Sequence, residues 1–266
     1  MIGALRRPTT SRRTTELGLV LLAALLTAAA YTLVSLGRTA SVPANVGPFL
    51  VVVLGLLGLA HVGTRRFAPD ADPVLLPVAL LLNGVGYVFV ARLDADLAAL
   101  QATWTALGVG AFIGTLVLVR RVADLERYRY LFALVGIGLL LMPLAPVIGR
   151  NINGARIWVR FGPMSFQPGE FAKIALAVFF ASYLVERREL LADVRANAGQ
   201  LRYLGPLLLA WGFSLVVMIA ERDLGSSMLF FALFVTMVWV ATGRALYLGA
   251  GTVMFGAGAL VSLSMF

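Results

Sequence analysis

In the stretch GRNINGARIWVRFGPMSFQPG, residues 149 to 169, Arg156, Trp158 and Arg160 stand at alternating positions. If the segment is extended, alternation puts all three side chains on one face. Two guanidiniums flanking an indole could grip a pyrophosphate and stack a sugar, because Arg pairs bidentately with phosphate oxygens. The same residues also suit an interfacial anchor, with Trp at headgroup depth and Arg on lipid phosphates. Residue types alone leave both readings open.

Pro168 predicts the start of a helix, where its missing N–H removes nothing, and Glu170 falls in the first turn, where the positive end of the helix dipole favours a carboxylate. Lys173, three residues on, can pair with Glu170, but such a pair is worth only a few tenths of a kcal/mol. A charge at the centre of a membrane-spanning helix costs about 2.5–3.5 kcal/mol on insertion scales. Near a helix end the cost is smaller, yet a local pair hardly offsets it. Lys173 is therefore expected to have a second partner inside a helical bundle. Asp223, in the short connection Glu221-Arg222-Asp223, is the candidate. It also suits the N-cap of a helix opened by Leu224-Gly225-Ser226-Ser227, and the two roles are compatible.

These residues are set in an apolar chain. Of the 266 residues 60% are hydrophobic and 13% charged, and the apolar residues fall in continuous blocks. A helix needs roughly 20 apolar residues to cross a bilayer, and only helices or closed barrels satisfy their backbone there. The blocks run approximately 17–36, 47–62, 74–91, 99–119, 130–149, 170–185, 203–220, 224–242 and 246–266. The expected fold class is an all-α polytopic integral membrane protein with about nine transmembrane helices and no soluble domain. Arg6, Arg7, Arg12 and Arg13 ahead of the first block resemble the positive region of a signal peptide. That block is nevertheless span-length and is followed by similar ones, so a permanent first span is expected.

The formal net charge of +9 does not indicate nucleic acid, because the arginines sit in short loops between apolar blocks. With the N-terminus cytoplasmic, fifteen arginines fall inside and six outside, Lys173 being in a helix. The excess of Lys and Arg in cytoplasmic loops favours this orientation, and it places the loop 149–169 outside. Without cysteine there is no disulfide, thiolate metal site or thiol nucleophile. His61, beside Arg65 and Arg66, reads as an ordinary interfacial residue, and Asn83, Trp104 and Trp239 as packing or interface residues. Gly110 and Gly114 permit close helix packing. No P-loop, dinucleotide fingerprint, HExxH or nucleophile elbow occurs, and no metal ligand set is assigned.

Three motifs carry a resemblance: Asn153-Gly154-Ala155-Arg156-Ile157-Trp158; Gly162-Pro163 followed by Ser165-Phe166-Gln167-Pro168-Gly169-Glu170-Phe171-Ala172-Lys173; and Asp223-Leu224-Gly225. In order and separation they resemble the SEDS proteins (shape, elongation, division and sporulation), whose pattern is G-A-R-R-W, G-P-x-S-F-Q-P-S-E-x-x-K and P-D-L-G. The resemblance covers about residues 74–266. Residues 1–73 would be a cytoplasmic N-terminus plus two extra transmembrane helices, as in a RodA-like branch. Residues 74–266 would then be the N-terminal part of a SEDS-type core.

The resemblance implies a membrane glycosyltransferase of the bacterial cytoplasmic membrane that polymerises lipid II, the undecaprenyl-pyrophosphate-linked precursor, into peptidoglycan. Its usual partner is a class B penicillin-binding protein. By resemblance Glu170 and Lys173 match the family's functional Glu and Lys, and Asp223 the Asp held to pair with that Lys; with Arg156, Trp158, Arg160 and Gln167 they make up the candidate substrate-binding or functional residues. Such a polymerase needs a base for a sugar hydroxyl, and cations or a divalent metal for the leaving pyrophosphate. The family's catalytic Asp lies in a T-D-F-I-F-A-like motif that these residues lack, so the chain is expected to be an N-terminal portion, inactive alone. Ile157, Gly169 and Glu221-Arg222 depart from the family pattern. A lipid II flippase and a non-catalytic scaffold for a penicillin-binding protein are the alternatives.

Overall fold

The computed structural model describes residues 9–39, 46–146, 148–152, 154–162, 164–192 and 205–265. These residues fall into two compact units, residues 1–120 and 121–266.

The first unit is helical: α1 (Thr9–Thr39), α2 (Val46–Phe67), α3 (Leu75–Leu93) and α4 (Ala95–Leu118). Asp94 separates the last two and caps α4, accepting from the Asp96 and Leu97 amides at 2.8 and 3.1 Å. Val20, Ala24 and Leu57 form a small core against which Val53, Leu76 and Leu80 pack. α1 and α3 approach so closely at Gly84 that a Cβ there would collide with the Thr27 side chain. His61, expected to be an ordinary interfacial residue, is buried against α1. It is 5% exposed, and its Nδ1 lies 2.7 Å from Oε1 of the fully buried Glu16, whose other oxygen accepts from Arg65. The partner that draws His61 inward lies on another helix, 45 residues earlier in the chain.

The second unit begins with a 3-10 turn (Val122–Tyr128), α5 (Arg129–Leu141) and a second such turn (Met142–Leu144). Three short strands follow, β1 (Gly149–Ile152), β2 (Ala155–Phe161) and β3 (Met164–Phe166), then α6 (Pro168–Ala192), α7 (Gly205–Ala220), α8 (Leu224–Thr242) and α9 (Ala245–Met265). The strands form one antiparallel sheet in the order β1-β2-β3. The chain is mostly rather than entirely helical: β-branched and aromatic residues place Gly149–Ile152, Ala155–Phe161 and Met164–Phe166 in a small sheet within the stretch expected to be a loop. α6 packs against α5 and α8. Leu176, Phe180, Leu207, Met218 and Phe230 are buried in the resulting core, where Phe180 meets Phe234 edge-on and Trp211 stacks on Phe234 at 4.6 Å. In lipid, such close packing rather than expulsion from water holds helices together. At Gly136 a Cβ would come within 2.7 Å of Leu176, which sets the α5–α6 approach.

Among the described residues six helices are long and apolar enough to cross a membrane: 13–37, 75–93, 96–118, 122–144, 168–188 and 224–242. α7 and residues 245–257 of α9 are shorter apolar helices. Leu82, Phe89, Leu131, Ile174, Leu209 and Val240 are exposed on helix surfaces, as expected of faces turned to lipid. The chain is a multi-pass membrane protein.

Candidate functional site

The site is assembled from the sheet, the start of α6 and the turn between α7 and α8. Gly154, just before β2, sits at φ +86°, and Gly162, just after it, at φ +58°. Both values favour glycine. Gly149 is required for a different reason, since a Cβ there would run into the Pro143 carbonyl oxygen. On β2, Val159 is fully buried, so the strand's other face carries Arg156, Trp158 and Arg160. Arg156 and Trp158 are half-buried and Arg160 is exposed, its Nε donating to the Gly162 carbonyl at 3.0 Å.

Sequence reasoning missed Arg150. The β1–β2 register is irregular between Arg150 and Ile152: Ile152 pairs with Ala155, whereas Arg150 pairs with Trp158. Directly opposed residues share a face, so three arginines and one indole occupy the same side of the sheet. Without the irregularity Arg150 would stand opposite Ile157, on the face of Val159.

Pro168 opens α6 and is buried; two residues later Glu170 is exposed. Lys173 is 9% exposed and its Nζ donates to Glu170 Oε1 at 2.8 Å. Asp223 takes the N-cap role expected of it. Among the described residues no ion pair joins it to Lys173. Its Oδ1 accepts the Ser226 amide at 2.9 Å, capping α8, and its Oδ2 accepts from Gln167 Nε2 at 3.3 Å. Both oxygens are thus engaged, and Gln167 rather than Lys173 links α8 to the entry of α6. The structure brings Gln167 to Asp223 and Glu170 to Lys173, as two separate contacts.

Glu221 is the second residue that sequence reasoning missed as part of the site. Its carbonyl accepts the Arg156 amide at 3.0 Å, which fastens β2 to the α7–α8 turn. Its side chain is buried, Oε1 has no hydrogen-bond partner, and the carboxyl is pushed up to about 7 by burial first and by the Asp223 charge second. The signal was present in the sequence: an acidic residue closing an apolar helix two positions before another acid. Among the described residues no three His, Cys, Asp or Glu side chains converge on one point.

The geometry offers a cationic, aromatic-centred sheet face beside a buried lysine and a carboxylate turn, an arrangement able to hold a phosphorylated sugar. A family profile described as cell cycle protein, FtsW/RodA/SpoVE, matches residues 75–266. The peptidoglycan glycosyltransferase RodA of Mycobacterium bovis is 38% identical across 99% of this chain and 60% of its own length. RodA of Mycobacterium leprae is also 38% identical, across 97% of this chain and 58% of its own. A probable peptidoglycan glycosyltransferase FtsW of Nitrosococcus halophilus is 33% identical across 66% and 46% respectively. The chain therefore spans about three-fifths of the length of the RodA relatives it matches. With the sheet, the α6 entry and the Asp223 cap falling inside the matched region, the chain belongs to the FtsW/RodA/SpoVE family of cell cycle proteins.

Proposed function

We propose that the full-length protein is a peptidoglycan glycosyltransferase that polymerises lipid II, with this chain supplying part of the substrate groove. The observation that carries the reading is the sheet face on which Arg150, Arg156 and Arg160 surround Trp158. Polymerisation breaks the bond between a sugar's anomeric carbon and a lipid pyrophosphate, and negative charge grows on the departing oxygens. Guanidiniums carried on the strand face beside that charge would lower the barrier by stabilising it as it develops. The indole offers a flat apolar surface for a sugar ring, and the relatives' names point to the same chemistry.

In this reading Lys173 is a further cation near the groove, oriented by Glu170, while Gln167 and Asp223 hold the α6 entry in place. The nine apolar blocks would all span, with the N-terminus cytoplasmic, so that the sheet lies on the outer face. A class B penicillin-binding protein is the proposed partner, and residues 1–73 an addition before the SEDS-type core.

The test supplies lipid II to the purified full-length protein and measures glycan polymer. Wild type is expected to polymerise. Arg156→Ala and Lys173→Ala should each lower the rate at least about 100-fold, the scale set by losing one transition-state donor, with membrane insertion intact. Wild-type rates in Lys173→Ala would defeat the site assignment. Translocation of lipid II across vesicles without any polymer would overturn the polymerase reading.

A further inference from the structure

The α7–α8 turn holds a carboxyl group that the proposed reaction does not use. Glu221, the first residue after α7, is 3% exposed, and its Oε1 has no hydrogen-bond partner. A buried carboxylate oxygen left without a donor is strongly disfavoured in its charged form and tolerated in its neutral one. The neighbouring acid does not relieve it, because both oxygens of Asp223 accept, from the Ser226 amide and from Gln167, and neither is given a proton to share with Glu221 by any contact among the described residues.

The surrounding frame is under constraint. Arg222, between the two acids, sits at φ +60°, a conformation that non-glycine residues hold only when neighbouring contacts impose it. The bonds of the turn do so: Glu221 N–H to Val217 at 2.9 Å, Arg222 N–H to Ile219 and Asp223 N–H to Met218 at 3.0 Å, and the Arg156 N–H to the Glu221 carbonyl. Asp223 comes from the turn, Arg156 from β2 approaches through its backbone, and at the start of α6 Lys173 is paired with Glu170. Arg222 is exposed.

We propose that Glu221 is a positioning residue that must be neutral for the turn to hold β2 and the α6 entry in register. Protonated, it leaves one negative charge in the turn, already hydrogen-bonded. Once it loses that proton to water, a buried negative charge stands beside the half-buried carboxyl of Asp223. The Arg156–Glu221 bond and the Gln167–Asp223 contact then loosen together. The consequence for substrate rests on the reading of the sheet as the pyrophosphate-gripping surface; the consequence for stability does not.

Two measurements on the full-length protein separate these levels. The folded carboxyl titrates near 7, above the ordinary 4.5. Its contribution to stability is therefore fully present below about 4.5 and is lost as the pH rises through about 7. The melting midpoint of wild type should fall across this window. Glu221→Gln, which keeps shape and neutrality, should remove that component and melt above wild type at pH 8. Polymerisation by wild type should decline between pH 6 and 8 through a rising KM for lipid II, and Glu221→Gln should lack that decline. Should the Gln variant accumulate poorly, Glu221→Met offers the same neutral bulk and the same expectation. If the variants keep the wild-type pH dependence of melting, or are less stable than wild type even at pH 8, the proposal is overturned. If the melting behaviour is as expected and no polymer forms at any pH, the polymerase reading fails and the role of Glu221 in the turn stands.

Discussion

Arg150 reaches the same face as Trp158 through a single irregularity in the β1–β2 ladder, so one residue of slip decides whether the sheet presents two arginines or three. Truncating it should therefore resemble truncating Arg156. Arg150→Ala is expected to lower polymerisation by the full-length protein about 10- to 100-fold, with little change in melting, because an exposed guanidinium adds little to stability. Unchanged kinetics would remove Arg150 from the site. The alternation of Arg156, Trp158 and Arg160 was legible in the sequence because strand period is a local property. The position of Arg150 was not, because a bulge is set by what packs beneath the hairpin. The same limit applies to Lys173. Its local partner Glu170 was readable from a three-residue spacing, whereas the reach to Asp223 was a statement about two helices: among the described residues no ion pair joins the two, Lys173 donating to Glu170 and Asp223 accepting from an amide and from Gln167. A double-mutant cycle should show coupling of about 0.5–1.5 kcal/mol between Gln167 and Asp223 and none resolvable between Lys173 and Asp223.

At the scale of elements, the sheet is held at both ends by backbone rather than by side chains. Gly149 lies hard against the Pro143 carbonyl at one end, and the Arg156 amide meets Glu221 at the other. Gly149→Ala places a methyl group against main chain that cannot rotate away. The expected result is destabilisation of about 1–3 kcal/mol and a higher KM for lipid II, although residue 149 carries no functional side chain. A variant with wild-type melting and KM would show that the hairpin tolerates displacement. The helices themselves were readable because long apolar blocks leave few alternatives, and the start of α6 was marked by Pro168 and Glu170. The sheet lay in a stretch too polar for a span, and the Asn-Gly dipeptide in the sequence was a usable hairpin signal outweighed by the apolar blocks around it.

For the molecule as a whole, the family match begins at residue 75, yet the first compact unit runs from residue 1 to 120 and so joins α1 and α2 to the first two matched helices. The junction has a chemical basis. Glu16 on α1 is fully buried and accepts from Arg65, with His61 at 2.7 Å, while Arg65 also donates to the Pro69 carbonyl at 3.0 Å and the Ala71 carbonyl at 3.3 Å. One carboxylate thus ties α1 to α2 and, through Arg65, to the connection that leads into α3. Nothing local in the sequence reveals this cluster, because its members are 45 and 49 residues apart. Removing one member of a buried charged cluster strands the others, typically at about 3–5 kcal/mol. Glu16→Ala is therefore expected to destabilise the first unit by roughly that amount, and Glu16→Gln by less, since an amide oxygen can still accept from Arg65. Hydrogen exchange on the full-length protein is the measurement. Faster exchange in α1, α2 and the 68–74 connection, with β2 and α8 protected as in wild type, is the expected result. If exchange rises equally in both units, they unfold together and the Glu16 cluster supports the whole molecule rather than its first unit.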